Sequence, residues 1–143
     1  MDVRTPPHPT LPTVAELMTA DPVIVPADLA AAEAARLLDF YRVSGAPVVD
    51  ADGEVVGVVS RSDLVHAFTS EALLEAWPEV AVLEVMSGPA ITVRGGAFAD
   101  EATRLMETHH IHRLVVVGAD RRTPIGIVTR SDLLRALAGW DDR

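Results

Sequence analysis

The sequence predicts a mixed α/β fold made of two β-α-β-β-α units. The main observation is an internal repeat, because residues 58–64 (VVSRSDL) return as residues 127–133 (IVTRSDL), 69 positions later. Each copy follows a glycine, Gly57 in the first and Gly126 in the second. The second observation is the size of the repeat. Two units of about 60 residues would each be marginally stable alone, so we expect them to pack face to face as one body.

The repeat extends well beyond this segment. Three further segments match at a spacing of 68 residues: Val14–Met18 with Val82–Met86, Glu33–Leu38 with Glu101–Met106, and Pro47–Val49 with Val115–Val117. The spacing then grows by one residue in the turn that follows, where a surface turn tolerates an insertion. We therefore expect five regions: a flexible N-terminal arm at 1–12, a first unit at 13–67, a linker at 68–80, a second unit at 81–138 and a tail at 139–143.

Each element of the first unit has a local signal. Pro22–Pro26 is a β-rich run between two prolines and predicts a brief strand. Asp28 is expected to open a helix, because an acidic residue in the first turn suits the helix dipole. The apolar face of that helix is predicted from side chains at helical spacing, namely Ala34, Leu37, Leu38 and Tyr41.

A hairpin and a second helix complete the unit. Pro47–Val49 and Val55–Val59 are predicted strands, and Asp50–Gly53 forms a hairpin turn between them. Ser60 is expected to cap a helix that runs from Ser62 to Phe68. The second unit repeats this order with a strand at Ala90–Val93, a helix at Asp100–His109, strands at Leu114–Val117 and Ile125–Val128, and a helix at Ser131–Leu137.

Composition and charge bear on several classes of protein. The net charge of −9 argues against general nucleic-acid binding, which needs basic surface patches, although one local pocket can still be positive. The absence of cysteine excludes disulfides and thiol chemistry. No apolar run approaches the roughly 20 residues that a membrane-spanning helix needs. Residues 1–12 carry four prolines and no signal-peptide pattern, so we expect a cytoplasmic location without membrane insertion.

The strongest chemical motif occurs once in each unit. Ser60-x-x-Asp63 and Thr129-x-x-Asp132 place a hydroxyl at a helix N-cap and a carboxylate three residues later, which is the pattern of a capping box. One interpretation is that these residues only start helices. The other is that they bind a ligand, because a helix N-terminus directly after a glycine-led strand offers backbone N–H groups to a phosphate.

In their order, spacing and duplication these motifs resemble the CBS domain, and the chain from Thr13 onward resembles a tandem CBS pair, or Bateman module. The first unit carries the resemblance in Val14-x-Glu16-x-Met18 with Pro22-Val23 after it, in Gly45–Asp50 (GAPVVD) and in Gly57–Asp63 (GVVSRSD). The second unit carries it at Val82–Met86, His112–Val117 and Gly126–Asp132.

This resemblance implies that the two units pack about a pseudo-twofold axis and leave two clefts between them. Many members of the family bind adenosine-containing ligands there, so we expect AMP, ADP, ATP or S-adenosylmethionine as the ligand and no required cofactor. Members are regulatory rather than catalytic. Their pairs commonly dimerise into a disc of four units, so we also expect a homodimer.

The resemblance also implies roles for individual residues. The carboxylates of Asp63 and Asp132 would bind ribose hydroxyls, and Ser60 and Thr129 would approach the phosphate. Arg113 and His112 would contact phosphate in the Asp63 cleft, unless they only form a solvated strand end. Met18–Val23 and Ser87–Ile91 would enclose the adenine, unless they are ordinary core. The expected ligand-binding set is Ser60, Asp63, His112, Arg113, Thr129, Asp132, Val23, Ala46, Pro47 and Ile91.

The two clefts are expected to be unequal. At the repeat spacing, Ser44 and Gly45 hold the positions of His112 and Arg113, so the Asp132 cleft lacks that positive charge. We therefore expect the Asp63 cleft to bind phosphate better. Arg42, next to these positions, is a candidate to compensate in the other cleft.

Three other features have simpler interpretations. His109, His110 and His112 invite a metal site, but adjacent helical residues point apart, so we expect an exposed helix end and no metal. Arg121-Arg122 is expected to be a solvated turn tip. Trp77 and Trp140 each follow the second helix of a unit, where they either cover apolar surface or contribute to a dimer contact.

Three classes of function remain open. The first is a stand-alone sensor that binds an adenosine-type ligand and signals to an unidentified effector protein through its dimer geometry. The alternative is a structural or protein-interaction module whose clefts stay unoccupied, although the intact Asp63 and Asp132 speak against it. The third is an enzyme, and it is not expected because the sequence contains no catalytic triad pattern, Walker loop or Rossmann fingerprint.

Overall fold

The computed structural model describes residues 11–139 of the chain. Most of the expected N-terminal arm therefore lies outside the described residues, and so does Trp140. Within residues 11–139, no helix is both long enough and apolar enough to cross a membrane.

Seven strands in the described part of the chain form two sheets, each built mainly from one repeat, with the strand Thr19–Ala20 of the first repeat joining the sheet of the second. The first sheet has the order β2-β3-β4, with β2 at Val25–Pro26, β3 at Gly45–Val49 and β4 at Val55–Ser60. The second has the order β1-β7-β6-β5, with β1 at Thr19–Ala20, β5 at Thr92–Arg94, β6 at Arg113–Val117 and β7 at Pro124–Thr129. In the first sheet, β3 is parallel to β2 and antiparallel to its hairpin partner β4. In the second sheet, β6 is parallel to β5 and antiparallel to its hairpin partner β7.

Six α-helices within residues 11–139 accompany these sheets, four in the predicted order and two that were not predicted. They are α1 at Val14–Leu17, α2 at Ala31–Tyr41, α3 at Arg61–His66, α4 at Glu71–Glu75, α5 at Ala99–His109 and α6 at Arg130–Ala138. The two that were not predicted are α1 and α4. Both repeats therefore show the β-α-β-β-α succession, and the predicted mixed α/β fold is confirmed.

The first long helix begins later than the sequence predicted. Ala30 is the N-cap and Ala31 is the first helical residue, so Asp28 lies in the turn before the helix rather than opening it. The backbone N–H of Ala31 donates to the carbonyl oxygen of Val80 over 2.7 Å. This contact with the linker is tertiary, and local sequence rules do not contain it.

Two further details of the first unit differ from expectation. Ala34 and Leu38 are buried as predicted, but Tyr41 is 54% exposed at the end of α2 and does not belong to its buried face. The strand predicted at Pro22–Pro26 is reduced to Val25–Pro26, because only these residues pair with β3.

The opening helical turn of each repeat packs against the other repeat's sheet. Val14 lies in the core of the second unit, and its N–H donates to the carbonyl oxygen of Ala97 over 2.8 Å. Val82 lies in the core of the first unit, and its N–H donates to the carbonyl oxygen of Leu29 over 2.8 Å. The two units therefore interlock, and each core is completed by a segment of the other repeat.

Aliphatic side chains fill the interior. Buried members of the first core are Val25, Leu38, Val48, Val59, Leu64, Val80 and Val82, and those of the second core are Val14, Val93, Met106, Leu114, Val116 and Val128. A third cluster of Val115, Val117 and Ile127 packs against Val55 and Val58 of the first unit. The two sheets therefore meet face to face, as the size of the units predicted.

The second hairpin turn makes contacts that the sequence did not predict. Arg121 is exposed as expected, but the carbonyl oxygen of Arg122 accepts a hydrogen bond from the Val55 N–H at 2.9 Å. The Arg122 guanidinium also pairs with Glu54 at 3.0 Å. The Arg122 side chain is still 68% exposed, as expected of a solvated tip, but it also makes these contacts because the hairpins of the two units lie side by side.

The linker contains a short helix and a 3₁₀ turn. Helix α4 ends at Glu75, and Pro78 lies within the turn Trp77–Glu79. The Trp77 ring packs on the first core, with its centroid 5.7 Å from that of Phe68. Trp77 therefore covers apolar surface, which is one of the two roles expected for it.

Candidate functional site

The Ser60 motif forms the predicted capping box at the junction of β4 and α3. Ser60 has an extended backbone, with φ −120° and ψ 164°, and its side-chain oxygen accepts a hydrogen bond from the Asp63 N–H at 3.1 Å. In return, Oδ2 of Asp63 accepts from the Ser60 N–H at 2.9 Å. The strand end and the helix start thus fix the position of the Asp63 carboxylate.

The other oxygen of Asp63 is reached from the second repeat. The hydroxyl of Ser87 donates to Oδ1 of Asp63 over 3.0 Å. Ser87 is held there because its N–H and carbonyl oxygen both pair with Val58 of β4, each at 2.9 Å. A carboxylate only accepts hydrogen bonds, whereas a hydroxyl both donates and accepts. Ser87 can therefore keep its bond to Asp63 while accepting another from a bound molecule.

A cavity of about 290 Å³ lies beside this carboxylate, between the two repeats. Its size is near the lower end of the range of ~300–1,000 Å³ that is usual for small-molecule sites. The first repeat contributes Val58, Ser60, Ser62 and Asp63, and the second contributes Ser87, Pro89, Ala90, Ile91, His110, Ile111, His112 and Arg113. Five residues singled out from the sequence are therefore brought together here: Ser60, Asp63, Ile91, His112 and Arg113.

Arg113 places a positive charge in this cleft. Its guanidinium donates to the carbonyl oxygen of Ser44 at 3.3 Å and to the Ser44 hydroxyl at 3.4 Å, across the boundary between the repeats. Burial lowers the pKa of Arg113, and the nearby Asp63 carboxylate acts in the opposite direction. A guanidinium remains a cation at neutral pH, so the cleft contains a fixed cation and a carboxylate together.

Two residues of the cleft were not predicted from the sequence. Ser87 was placed only in a segment around the adenine, and its bond to Asp63 depends on the pairing with β4. His110 is an exposed helix end as predicted, at the C-cap of α5 with a left-handed backbone, φ 54°. Its place in the lining of the cavity, beside His112, was not predicted. Arg42 holds the same left-handed position at the end of α2, with φ 55°.

The second motif forms the same capping box in a different setting. Oδ2 of Asp132 accepts from the Thr129 N–H at 2.8 Å and from its hydroxyl at 3.0 Å. Oδ1 of Asp132 accepts from the guanidinium of Arg135, one helical turn further along α6. The Asp132 side chain is only 6% exposed, whereas Asp63 is half-buried, so the Asp132 carboxylate is much less accessible.

The remaining residues of the expected set lie elsewhere. Val23 lines a second cavity of about 440 Å³, together with Tyr41 and Asp21. Ala46 is fully buried in the first core, and Pro47 is buried beside it in β3. Within residues 11–139, no group of three or more His, Asp or Glu side chains is arranged to hold a metal ion.

Two stretches of the chain, residues 14–70 and 82–139, each match the CBS domain family. The protein belongs to the CBS domain family. The two matches coincide with the two repeats, so the resemblance seen in the sequence to a tandem CBS pair is confirmed.

Relatives identified by sequence include proteins of quite different length. The chain is 30% identical to the protein MJ1426 of Methanocaldococcus jannaschii, over 81% of this chain and 86% of that protein. It is 34% identical to the inosine-5'-monophosphate dehydrogenase of Mycobacterium tuberculosis, over 82% of this chain but only 21% of the dehydrogenase. It likewise spans only 33% of the protein MJ1232 of Methanocaldococcus jannaschii.

Solved structures of CBS pairs have the same fold. The crystal structure of CBSX2 in complex with AMP superposes with a TM-score of 0.75 and 31% identity, and covers 90% of this chain and 98% of that one. The CBS domain pair of protein MJ0100, crystallised with 5'-methylthioadenosine and S-adenosyl-L-methionine, gives a TM-score of 0.79 and 25% identity over 91% of this chain and 98% of that one.

Proposed function

We propose that this CBS pair is a sensor module that binds an adenosine-containing ligand in the cleft beside Asp63. The observation that carries the proposal is the presence of Asp63 and Arg113 in one cavity of about 290 Å³ between the repeats. A nucleotide needs both groups, because its ribose offers hydroxyl donors and its phosphate offers negative charge.

Each part of the ligand has a partner in this cleft. The ribose hydroxyls donate to Oδ1 of Asp63, next to the Ser87 hydroxyl that already bonds there. The phosphate is attracted by Arg113, with His110 and His112 lining the same cavity. Charge-assisted hydrogen bonds of this kind are about twice as strong as neutral ones. The adenine lies against the aliphatic part of the lining, which consists of Val58, Pro89, Ala90 and Ile91.

The comparisons support an adenosine-type ligand. CBSX2 was crystallised with AMP, and the MJ0100 pair with S-adenosyl-L-methionine and 5'-methylthioadenosine. For this chain we favour AMP, ADP or ATP over S-adenosylmethionine, because the Arg113 guanidinium is a fixed cation in the cleft. A phosphate gains from that positive charge, whereas the sulfonium of S-adenosylmethionine is itself a cation.

We also propose that the module forms a homodimer and signals to an effector protein. Exposed apolar side chains recur at matching positions of the two repeats, on α6 and on α3 with the turn that follows it. Val65 corresponds to Leu134 and Phe68 to Leu137, and all four are more than half exposed. A ligand that binds one dimer geometry better than another shifts the population toward it, and an effector can read that shift.

Isothermal titration calorimetry with AMP tests the proposal, using the intact protein and the Asp63→Asn variant. The amide oxygen that this substitution introduces can still accept from the Ser60 N–H, so the capping bond that Asp63 makes at 2.9 Å is preserved. One oxygen that accepts from the ribose is replaced by an amide group that donates. We expect binding to weaken by about 1.5–3 kcal/mol, the scale of hydrogen bonds to a charged group.

The matched control is Asp132→Asn, which makes the same change in the other motif. It is expected to leave the main binding event unchanged. Equal affinity of the Asp63→Asn variant and the intact protein would contradict the assignment of this cleft.

A second candidate function is a protein-interaction module with unoccupied clefts. It is favoured by one observation: both oxygens of Asp63 already have partners within the protein, the Ser60 N–H and the Ser87 hydroxyl. Flat titrations with AMP, ADP, ATP and S-adenosylmethionine would favour this function, with the two motifs acting only as helix caps.

A further inference from the structure

The two motif aspartates differ in what holds their second oxygen. In the first repeat Oδ1 of Asp63 accepts from the neutral Ser87 hydroxyl, and in the second Oδ1 of Asp132 accepts from the Arg135 guanidinium. At the repeat spacing, the counterpart of Arg135 is His66, which is exposed. One part of the difference is therefore the residue three positions after the motif aspartate, which is an arginine only in the second repeat.

This difference matters because the two partners have opposite capabilities. Hydroxyls of a ribose must donate to a carboxylate, and a serine hydroxyl can accept from them while donating to the same carboxylate. A guanidinium has no acceptor, so it competes with the ribose for Oδ1 of Asp132. The ribose has no other free oxygen on Asp132, because this side chain is only 6% exposed and its Oδ2 already accepts from Thr129.

We propose that Arg135 is a latch on the cleft that the CBS resemblance places beside Asp132, here called the second cleft, and that it determines the affinity of this cleft for adenosine-type ligands. A ligand can use Asp132 only after displacing Arg135, so the second cleft binds more weakly than the first. Displacement is feasible because the Arg135 side chain is 71% exposed and can move into solvent. This inference rests on the proposed ligand class. It gives a second reason for weaker binding in the second cleft, beside the lack of a cation for the phosphate there, since the counterpart of Arg113 is Gly45.

Removal of the latch leaves the capping box intact. Thr129 continues to donate to Oδ2 of Asp132 through its backbone N–H and its hydroxyl, so α6 keeps its N-terminal cap. The Arg135→Ala variant is therefore expected to fold. The Arg135→His variant introduces the residue found at this position in the first repeat. It is a second, independent way to remove the guanidinium from Oδ1 of Asp132.

The test uses the Asp63→Asn background, in which the second cleft is the main remaining site. Calorimetry with AMP is compared among Asp63→Asn, Asp63→Asn/Arg135→Ala and Asp63→Asn/Arg135→Ala/Asp132→Asn. We expect Asp63→Asn/Arg135→Ala to bind AMP about fivefold more tightly than Asp63→Asn. The gain is modest because the ion pair that competes with the ribose for Asp132 has one exposed partner. We expect the additional Asp132→Asn substitution to abolish that gain. Arg104→Ala, which removes another exposed arginine of an ion pair on α5, controls for net charge and should change nothing.

The outcomes separate this inference from the proposed function. If Asp63→Asn abolishes strong binding and Arg135→Ala gives no gain, the latch is wrong and the proposed function stands. If the intact protein does not bind AMP but Arg135→Ala does, the latch stands and the first cleft is misassigned. If no variant binds AMP, both are overturned. An equal gain in Arg104→Ala would also overturn the latch.

Discussion

Arg113 lies against Gly45, the residue that holds its own position in the first repeat. A Cβ atom on Gly45 would lie 3.1 Å from Cζ of Arg113 and 3.2 Å from the carbonyl oxygen of Val59, closer than normal contacts allow. The Arg113 side chain therefore occupies space that the counterpart residue would need. The repeats are similar in backbone but not in charge, and this contact gives a steric reason for the difference.

The first prediction concerns that contact. Gly45→Ala is expected to displace the Arg113 guanidinium and to destabilise the protein by about 1 kcal/mol, the low end of the usual cost of overpacking, because the guanidinium is the movable end of a flexible side chain. AMP affinity should fall as well, because Arg113 moves away from its place beside Ser44. Chemical denaturation and calorimetry measure the two effects.

Gly96→Ala is the matched control for this change. A Cβ atom at Gly96 would have no neighbour within 4 Å, so this variant should be as stable as the parent or slightly more stable. If Gly45→Ala behaved like Gly96→Ala, the packing of Arg113 described above would be incorrect.

The second prediction separates the phosphate from the rest of the ligand. Arg113→Gln removes the charge, and we expect AMP binding to weaken by about 1.5–3 kcal/mol, the scale of a charged hydrogen bond. Binding of adenosine, which has no phosphate, should change much less. Competition calorimetry with both compounds gives the comparison, and an equal loss for AMP and adenosine would remove the assigned role of Arg113.

The third prediction concerns the helix cap. Ser60→Ala removes the oxygen that accepts from the Asp63 N–H, and the expected loss of stability is about 1 kcal/mol. Ser131→Ala changes an exposed serine in the first turn of α6 and serves as the control, with little expected effect. Urea denaturation followed by circular dichroism measures both, and equal stabilities of the two variants would argue against the cap at Ser60.

The fourth prediction is a pH dependence at the second hairpin turn. Hydrogen bonds from the Thr123 hydroxyl and backbone, and from the Arg122 N–H, lower the pKa of Asp120 from 3.8 to about 2. A folded-state pKa below the ordinary value favours the ionised form, so the stabilisation is complete above the ordinary pKa. It is lost as the pH falls from about 4 toward 2.

Asp120→Asn tests this dependence because it cannot ionise. The stability difference between the native protein and Asp120→Asn should be constant near neutral pH and should shrink as the pH falls below about 4. Denaturation curves at several pH values measure it. A difference that did not change with pH would show that the Asp120 carboxylate is not held in its charged form.

Much of the fold could be predicted because its signals lie within short segments and occur in both repeats. The turn Asp50–Gly53, the glycine-led strand β4 and the cap at Ser60 each have a signal within a few residues. The start of α2 at Ala31 was missed because it depends on a hydrogen bond with Val80, which is distant in the sequence. The packing of Val14 in the other unit's core was missed for the same reason.

The candidate site shows the same division. Ser60, Asp63 and Arg113 were found because their motif positions resemble those of the CBS family, and they do line one cavity. The bond from Ser87 to Asp63 was not predictable, because it requires the segment after Met86 to pair with β4. The sequence also contains the spacing of Arg135 and Asp132, but not the burial that makes this pair a competitor for a ligand.

The most direct test of the central claim is a crystal structure of the protein grown with AMP. The account predicts density for the nucleotide in the cavity between the repeats, with ribose hydroxyls within hydrogen-bond distance of Asp63 and the phosphate facing Arg113. A structure with AMP bound away from these two residues, or with the cleft empty at saturating AMP, would contradict it.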